Sequence, residues 1–272
     1  MIYLHVLLFL LTIASTVFVG GFLYSLAIMT ILLSHEMGHY VMSRRYGIPA
    51  TLPFFIPLPL PPFGTFGAVI KMKGIIVNKR ALFDVGVAGP LCGFIVAVPF
   101  IMAGIRLSAV VSLADIPASS MQLGNPLLFR VLQFFLVGDI PDGYDLVLHP
   151  FAYAGWVGLF VTSLNLLPVG QLDGGHVVYA VFGDKSRWAY LGTVIFLGVL
   201  TILCNVGWLT LVILLIIFGM RHPRPFDDET QLDGRRKKLA LAVLIVFVLS
   251  FIPSPFPGMD IMHLLEKAGL FQ

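Results

Sequence analysis

Long apolar runs dominate this chain, and short polar or glycine- and proline-rich clusters separate them. The runs read as membrane-spanning helices near 2–20, 22–43, 82–105, 151–168, 187–203, 206–220 and 239–252, since a helix needs about 20 apolar residues to cross the hydrocarbon core. As one helix, 187–220 would overspan a bilayer, and Cys204-Asn205-Val206-Gly207 interrupts it, so it divides in two. Between the second and third runs, Pro49, Pro53, Pro57, Pro59, Pro61 and Pro62 exclude an ordinary helix. Within that segment GTFGAVIKM (64–72) reads as a short strand. Residues 127–137 (LLFRVLQFFLV) are too short to cross upright and predict an interfacial or packed helix.

Composition agrees with a bilayer environment. The 272 residues are 58% hydrophobic and 11% charged, with a mean hydropathy of +0.96. Soluble domains carry about 25% charged residues, and so few charges cannot cover a water-facing surface. The chain is therefore expected to be a single all-α polytopic bundle over residues 1–272, with about seven spans. The net charge is only +3, and no basic–aromatic pattern points to nucleic acid. Cys92 and Cys204 sit in separate apolar runs and give no disulfide framework. The first run starts at Met1 without a basic lead and reads as a retained span, not a cleavable signal.

Lys and Arg placement orients the spans. Arg44, Arg45, Lys71, Lys73, Lys79 and Arg80 lie between spans two and three, Lys185 and Arg187 follow span four, and the cluster from Arg221 to Lys238 follows span six. With seven spans all of these share one side, which is the cytoplasmic one. The opposite loop, 106–150, has Arg106 and Arg130 against four aspartates. The N-terminus is thus expected inside and the C-terminus outside, and DDETQLDGRRKK (227–238) is a solvated cytoplasmic loop.

One polar cluster does not fit a lipid-facing helix. SHEMGHY (34–40) closes an apolar run. His35 and His39 are four residues apart, so a helix puts both imidazoles on one face. Two such nitrogens can grip one Zn²⁺, and Glu36 beside them can take a proton from water that zinc acidifies. Ionisable residues inside a membrane are costly and mark function. A catalytic zinc usually takes a third protein ligand. Glu229 and Glu266 lie in a loop and in the tail, and the other histidines are His5, His149, His176, His222 and His263. Asp84 and Asp173 are the carboxylates near embedded segments. Asp84 starts a span and is expected to cap it. Asp173 sits in LNLLPVGQLDGGH (164–176), broken by Pro168, Gly170, Gly174 and Gly175. Broken backbone is tolerated at membrane depth where it lines a polar cavity. Spans two and four both run outward to inward, so His35, His39 and Asp173 are expected at similar depth.

HEMGH in a membrane helix, followed far downstream by NLLPVGQLDGG, resembles the site-2 protease family of intramembrane zinc metalloproteases. The resemblance covers the core from about Leu33 to Gly175. It implies that His35, His39 and Asp173 bind one zinc ion, that Glu36 is the general base and acid, and that Asn165 donates to the substrate carbonyl. It also implies a re-entrant loop and β-hairpin beside the active site, whose edge at Gly64, Thr65, Phe66, Gly67 and Ala68 would hold an unwound substrate by strand addition. The catalytic core would span about 22–185, with extra spans near 2–20, 187–220 and 239–252. Neither a PDZ nor a CBS domain, present in some relatives, has room in the chain. Gly89 and Gly93 match the family's GPLxG stretch, and their spacing suits close helix packing. Pro168 is expected to break the helix so that Asp173 turns inward. His176 is read as a partner of the metal ligands or as a polar helix start.

The implied function is hydrolysis of a peptide bond in a transmembrane protein substrate within or near the lipid bilayer, as in regulated intramembrane proteolysis. The protein would be a multi-pass component of a prokaryotic cytoplasmic membrane, with its active site toward the cytoplasm. A zincin with a helical Glu as third ligand lacks that Glu here. The alternative is a membrane metal-binding or metal-transport protein using the same His/Asp cluster.

Overall fold

The computed structural model describes residues 2–117, 120–218 and 223–260. The chain opens with α1 (Ile2–Arg45), which contains one non-helical residue, Gly21, at φ 81° and ψ 174°. Thr16 Oγ1 and Ser25 Oγ lie 2.7 Å apart across that residue, whereas nine residues of continuous helix would separate them by about 13.5 Å. The helix therefore doubles back, and its arms, 2–20 and 22–45, coincide with the first two apolar runs. A side chain at Gly20 would lie 2.3 Å from the Tyr24 ring, so the turn has no room for one.

The second arm packs on α2 (Lys79–Leu107) and α4 (Pro150–Asn165). Their shared core holds Tyr24, Ile28, Ile101, Ile105, Trp156 and Leu159, all fully buried. Backbones approach closely here: a Cβ on Gly104 would meet the Ala152 nitrogen at 2.0 Å. Small residues at such crossings let membrane helices gain dispersion contacts that lipid does not offer. α2 starts three residues earlier than its apolar run, because Asn78 accepts a hydrogen bond from the Ala81 N–H and caps it. The capping role expected of Asp84 is thereby corrected. Asp84 lies inside the helix, where it accepts from Tyr46 Oη at 2.5 Å and from Arg236 Nε at 2.8 Å.

α4 ends at Asn165, ahead of Pro168, and α5 (Asp173–Phe182) follows a turn of seven residues, 166–172. α6 (Ser186–Leu203) and α7 (Trp208–Phe218) are separate helices, divided at the Cys204–Gly207 break that the sequence marks. Asn205 fixes the break, accepting from Gly207 N and donating to the Phe256 carbonyl. α8 (Gly234–Ser250) is capped by Asp233. The short apolar stretch at 127–137 forms α3 (Leu127–Leu136). Among the described residues, three helical stretches are long and apolar enough to cross a membrane: Ile2–Arg45, Lys79–Leu107 and Asp173–Leu203. Outward-facing Phe18, Phe22, Ile95 and Ile202 give them a lipid-compatible surface.

The proline-rich segment forms a hairpin of β1 (Phe54–Pro57) and β2 (Thr65–Val69), paired antiparallel with Phe55 opposite Ala68. It lies along the first arm of α1, where His5 Nδ1 meets the Pro53 carbonyl at 3.1 Å. A second hairpin, β3 (Ala109–Ser112) with β4 (Tyr144–Val147), lies in the 106–150 loop, where no strand is expected from the residue pattern.

Candidate metal centre

The second arm of α1 carries His35 and His39 one turn apart, both buried, with their Nε2 atoms 3.2 Å from each other. Asp173 is the first residue of α5, and its Oδ2 lies 3.3 Å from His35 Nε2 and 3.2 Å from His39 Nε2. Three donor atoms thus form a nearly equilateral triangle. A tetrahedral zinc ion with bonds of about 2.0–2.1 Å needs its ligands about 3.3 Å apart, so the residues fit that ion. Their chemistry fits too. His39 Nδ1 donates to the Val85 carbonyl at 2.8 Å, which leaves Nε2 as a bare nitrogen and orients the ring, as outer partners of metal-bound histidines do.

Close approach of α2 and α5 makes the triangle possible. A Cβ on Gly89 would sit 2.0 Å from His39 Nε2, and one on Gly93 would sit 3.2 Å from His35 Nδ1. The two glycines stand over the two histidines with the same four-residue spacing on antiparallel helices. A Cβ on Gly38 would meet the Ala88 carbonyl oxygen at 2.5 Å, so α1 and α2 touch backbone to backbone. On the other side, a Cβ on Gly174 would meet the Leu166 carbonyl oxygen at 2.0 Å, so the start of α5 tucks under the turn after α4. That turn brings Asp173 back to α1 across 134 positions of sequence.

Asn165, the last residue of α4, places Nδ2 3.2 Å from His35 Nε2. Glu36, the residue after His35, is buried, and its carboxyl faces the backbone of Ile70, the residue after β2. Of the strand residues singled out in the sequence, Ala68 lies toward that end. Gly64 and Thr65 sit at the far tip: a Cβ on Gly64 would lie 3.0 Å from Thr16 Cα of the first arm, and the buried Thr65 donates to the Ile56 carbonyl. Gly67 has a φ of 98° and Phe66 points outward. β2 has one strand neighbour, β1, among the described residues.

The remaining candidates lie elsewhere. His5 packs on Phe54, His149 caps α4, and Glu229 sits in the loop before α8. His176 stands over Gly86 of α2, one turn after Asp173. His222, His263, Arg221 and Glu266, like the end of the 206–220 run, lie outside the described residues. Val85 escaped the sequence reading, and Gly89, read there as a helix-packing residue, was not tied to His39. The signal for Gly89 was present in its spacing to Gly93, which repeats that of the histidines; a main-chain carbonyl such as that of Val85 leaves none.

A model of peptidase family M50 matches residues 23–204. Over 82% of its length the chain is 28% identical to a protein of Arabidopsis thaliana named probable zinc metalloprotease EGY2, chloroplastic. Over 83% it is 32% identical to proteins of Oryza sativa subsp. japonica and Arabidopsis thaliana named probable zinc metalloprotease EGY1, chloroplastic. These alignments cover 40%, 39% and 42% of the relatives, so the chain spans about two fifths of their length.

Proposed function

The chain belongs to peptidase family M50, and on that premise we propose that it is an intramembrane zinc metalloendopeptidase of the site-2 protease type. Its substrate is a transmembrane protein, cut within or near a membrane-spanning segment in regulated intramembrane proteolysis. The observation that carries this reading is the convergence of Asp173 on His35 and His39, with Glu36 buried on the same turn of helix.

His35, His39 and Asp173 would hold the ion. When bound, zinc supplies Lewis acidity, polarising the scissile carbonyl and acidifying water. Glu36 takes a proton from the attacking water and delivers it to the leaving amine, so one water is consumed and one acid and one amine are released. The Asn165 amide N–H donates to the carbonyl oxygen as negative charge develops there, a contribution that burial from water strengthens. His39 is held for its task by the Val85 carbonyl. A helical substrate must unwind before its carbonyl is reachable, and the free edge of β2 offers it a strand to pair with.

In this reading residues 22–185 form the catalytic core, flanked by the first arm of α1 and by α6 to α8, in a single domain with about seven spans. The break between α6 and α7 supports counting them separately. The β1–β2 segment is a re-entrant loop. It leaves the end of α1 at Arg45 and packs along the first arm from His5 to Ser15, which a surface loop would not do. Arg44, Arg45, Lys71 and Arg80 give the metal side its positive charge, which supports a cytoplasm-facing site in a prokaryotic membrane. The relatives' names assign those proteins to chloroplasts.

Zinc stoichiometry of purified wild type, His39→Ala and Asp173→Ala tests the metal site, and Glu36→Gln tests the chemistry. About one zinc in wild type, lost in both ligand variants, together with a Glu36→Gln protein that retains zinc but cleaves nothing, is the expected result. Zinc unaffected by Asp173→Ala would overturn the ligand set. Full zinc-dependent transport with no cleavage in wild type would favour a metal transporter.

A further inference from the structure

Carbonyl groups in an apolar bundle need partners, and the proline-rich hairpin has few N–H groups to offer its own. The β1–β2 ladder serves residues 54–57 and 65–69. At the tip, three consecutive carbonyls each accept from a side-chain hydroxyl: Pro62 from Tyr153 at 2.7 Å, Phe63 from Tyr24 at 2.7 Å, and Gly64 from Ser15 at 2.6 Å. The donors come from three pieces of helix: α4, the second arm of α1 and its first arm. The rings of Tyr24 and Tyr153 also stack on each other, with centroids 5.2 Å apart. Beyond the tip, β2 leads into Ile70, the residue after it, whose backbone faces Glu36.

We propose that Ser15, Tyr24 and Tyr153 are positioning residues, whose hydroxyls pin the hairpin tip and so set the register of the β2 edge against Glu36. The consequence for substrate rests on the proteolytic reading above. An extended strand is stiff, so from Thr65 to Ile70 it carries a displacement of the tip over about 17 Å. A chain paired with it then slips by whole residues. One residue inverts its faces, while two keep them and move the chain about 7 Å. A loosened tip therefore spreads cleavage over positions two residues apart.

Tyr24→Phe, Tyr153→Phe and the pair test this, because phenylalanine keeps the ring stack and removes only the hydroxyl. Hydrogen exchange of segment 54–70 is followed by mass spectrometry in nanodiscs, with zinc content measured alongside. Losing one such hydrogen bond is expected to speed exchange in the β1–β2 ladder roughly three- to tenfold, with zinc content and α2 exchange unchanged. Unaltered exchange in the double variant, or equal acceleration in α2, would overturn the proposal. Ser15→Ala gives the same readout should the double variant fail to retain zinc. The functional arm uses single-span Leu/Ala peptides, each with a Gly-Gly pair at a different depth, cleaved in the same nanodiscs. A higher KM and new products offset by two residues, with kcat at the main site unchanged, are expected. Wild-type products and KM despite faster exchange would refute the register role. Peptides left intact by wild type would count against the proteolytic reading, and exchange would still decide whether the hydroxyls hold the edge.

Discussion

Replacing Gly89 with alanine puts two effects of opposite sign on one atom. Alanine is favoured over glycine inside a helix by about 0.8–1.0 kcal/mol, so local propensity alone makes Gly89→Ala stabilising. The added methyl, however, would lie 2.0 Å from His39 Nε2 and 2.4 and 2.5 Å from the adjoining ring carbons. Ordinary contact starts at 3.4 Å, so ring or helix must give by about 1.4 Å. If α2 retreats, the 2.8 Å bond from His39 to Val85 is lost. If the ring swings, Nε2 leaves the triangle it forms with His35 and Asp173. Metal sites tolerate about 0.2 Å, and loss of an outer partner alone weakens metal binding about 10–100-fold. Overpacking costs about 1–3 kcal/mol, which outweighs the propensity gain.

Gly89→Ala is therefore expected to weaken zinc binding by at least about 100-fold and to lower the melting temperature. Competition against a chelator of known affinity in detergent and a thermal melt read the two effects. Gly93→Ala is the internal control, because its Cβ would meet His35 at 3.2 Å, which a shift of a few tenths of an ångström relieves. Its zinc affinity should fall less than about tenfold. A Gly89→Ala protein that binds zinc like wild type and melts higher would refute the packing of α2 against His39. Equal losses in the two variants would mean general loosening and no specific displacement of a ligand.

Asn165→Ala should lower kcat by about 10²–10³-fold while zinc content and KM stay near wild type; loss of zinc would instead make Asn165 a support for His35. Asp84→Asn removes one of the two carboxylates that pair with the mostly buried Arg236 guanidinium, the one at 2.5 Å, and leaves Asp233. Breaking fully buried pairs costs about 3–5 kcal/mol and exposed ones at most about 1. About 1–3 kcal/mol is thus expected here from chemical denaturation, and no change would show that Asp233 alone suffices to hold Arg236.

The helices were legible because membrane spans obey two strong rules, length and hydropathy, and the ends carry their own marks. Gly20-Gly21 turns α1 back where two apolar runs abut, and Cys204–Gly207 breaks the 187–220 stretch. The strands were harder. β2 stands out as GTFGAVIKM, but its partner FFIP is masked by prolines that exclude helix and say nothing of pairing. The β3–β4 hairpin consists of four-residue strands in a loop of mixed polarity, too short for an alternation to be recognised. Asp84 was misread because its partner Arg236 lies 152 residues away, and a carboxylate near a helix start looks like a cap until the helix proves to begin earlier.

At the metal centre, side-chain chemistry was legible and the means of holding it was not. His35, Glu36, His39 and Asp173 are recognisable because ionisable groups are expensive in an apolar segment. Their geometry depends equally on groups with no such signature: a main-chain carbonyl at Val85 and the missing side chain at Gly89. Space for the imidazoles exists only because two glycines on α2 repeat the spacing of two histidines on α1. Asp173 reaches the same point because Gly174 and Gly175 let α5 start against the carbonyls of 166–170. Ligands and glycines therefore have to be read together, since a zincin motif facing a bulky helix would offer the same donors and no room for the ion.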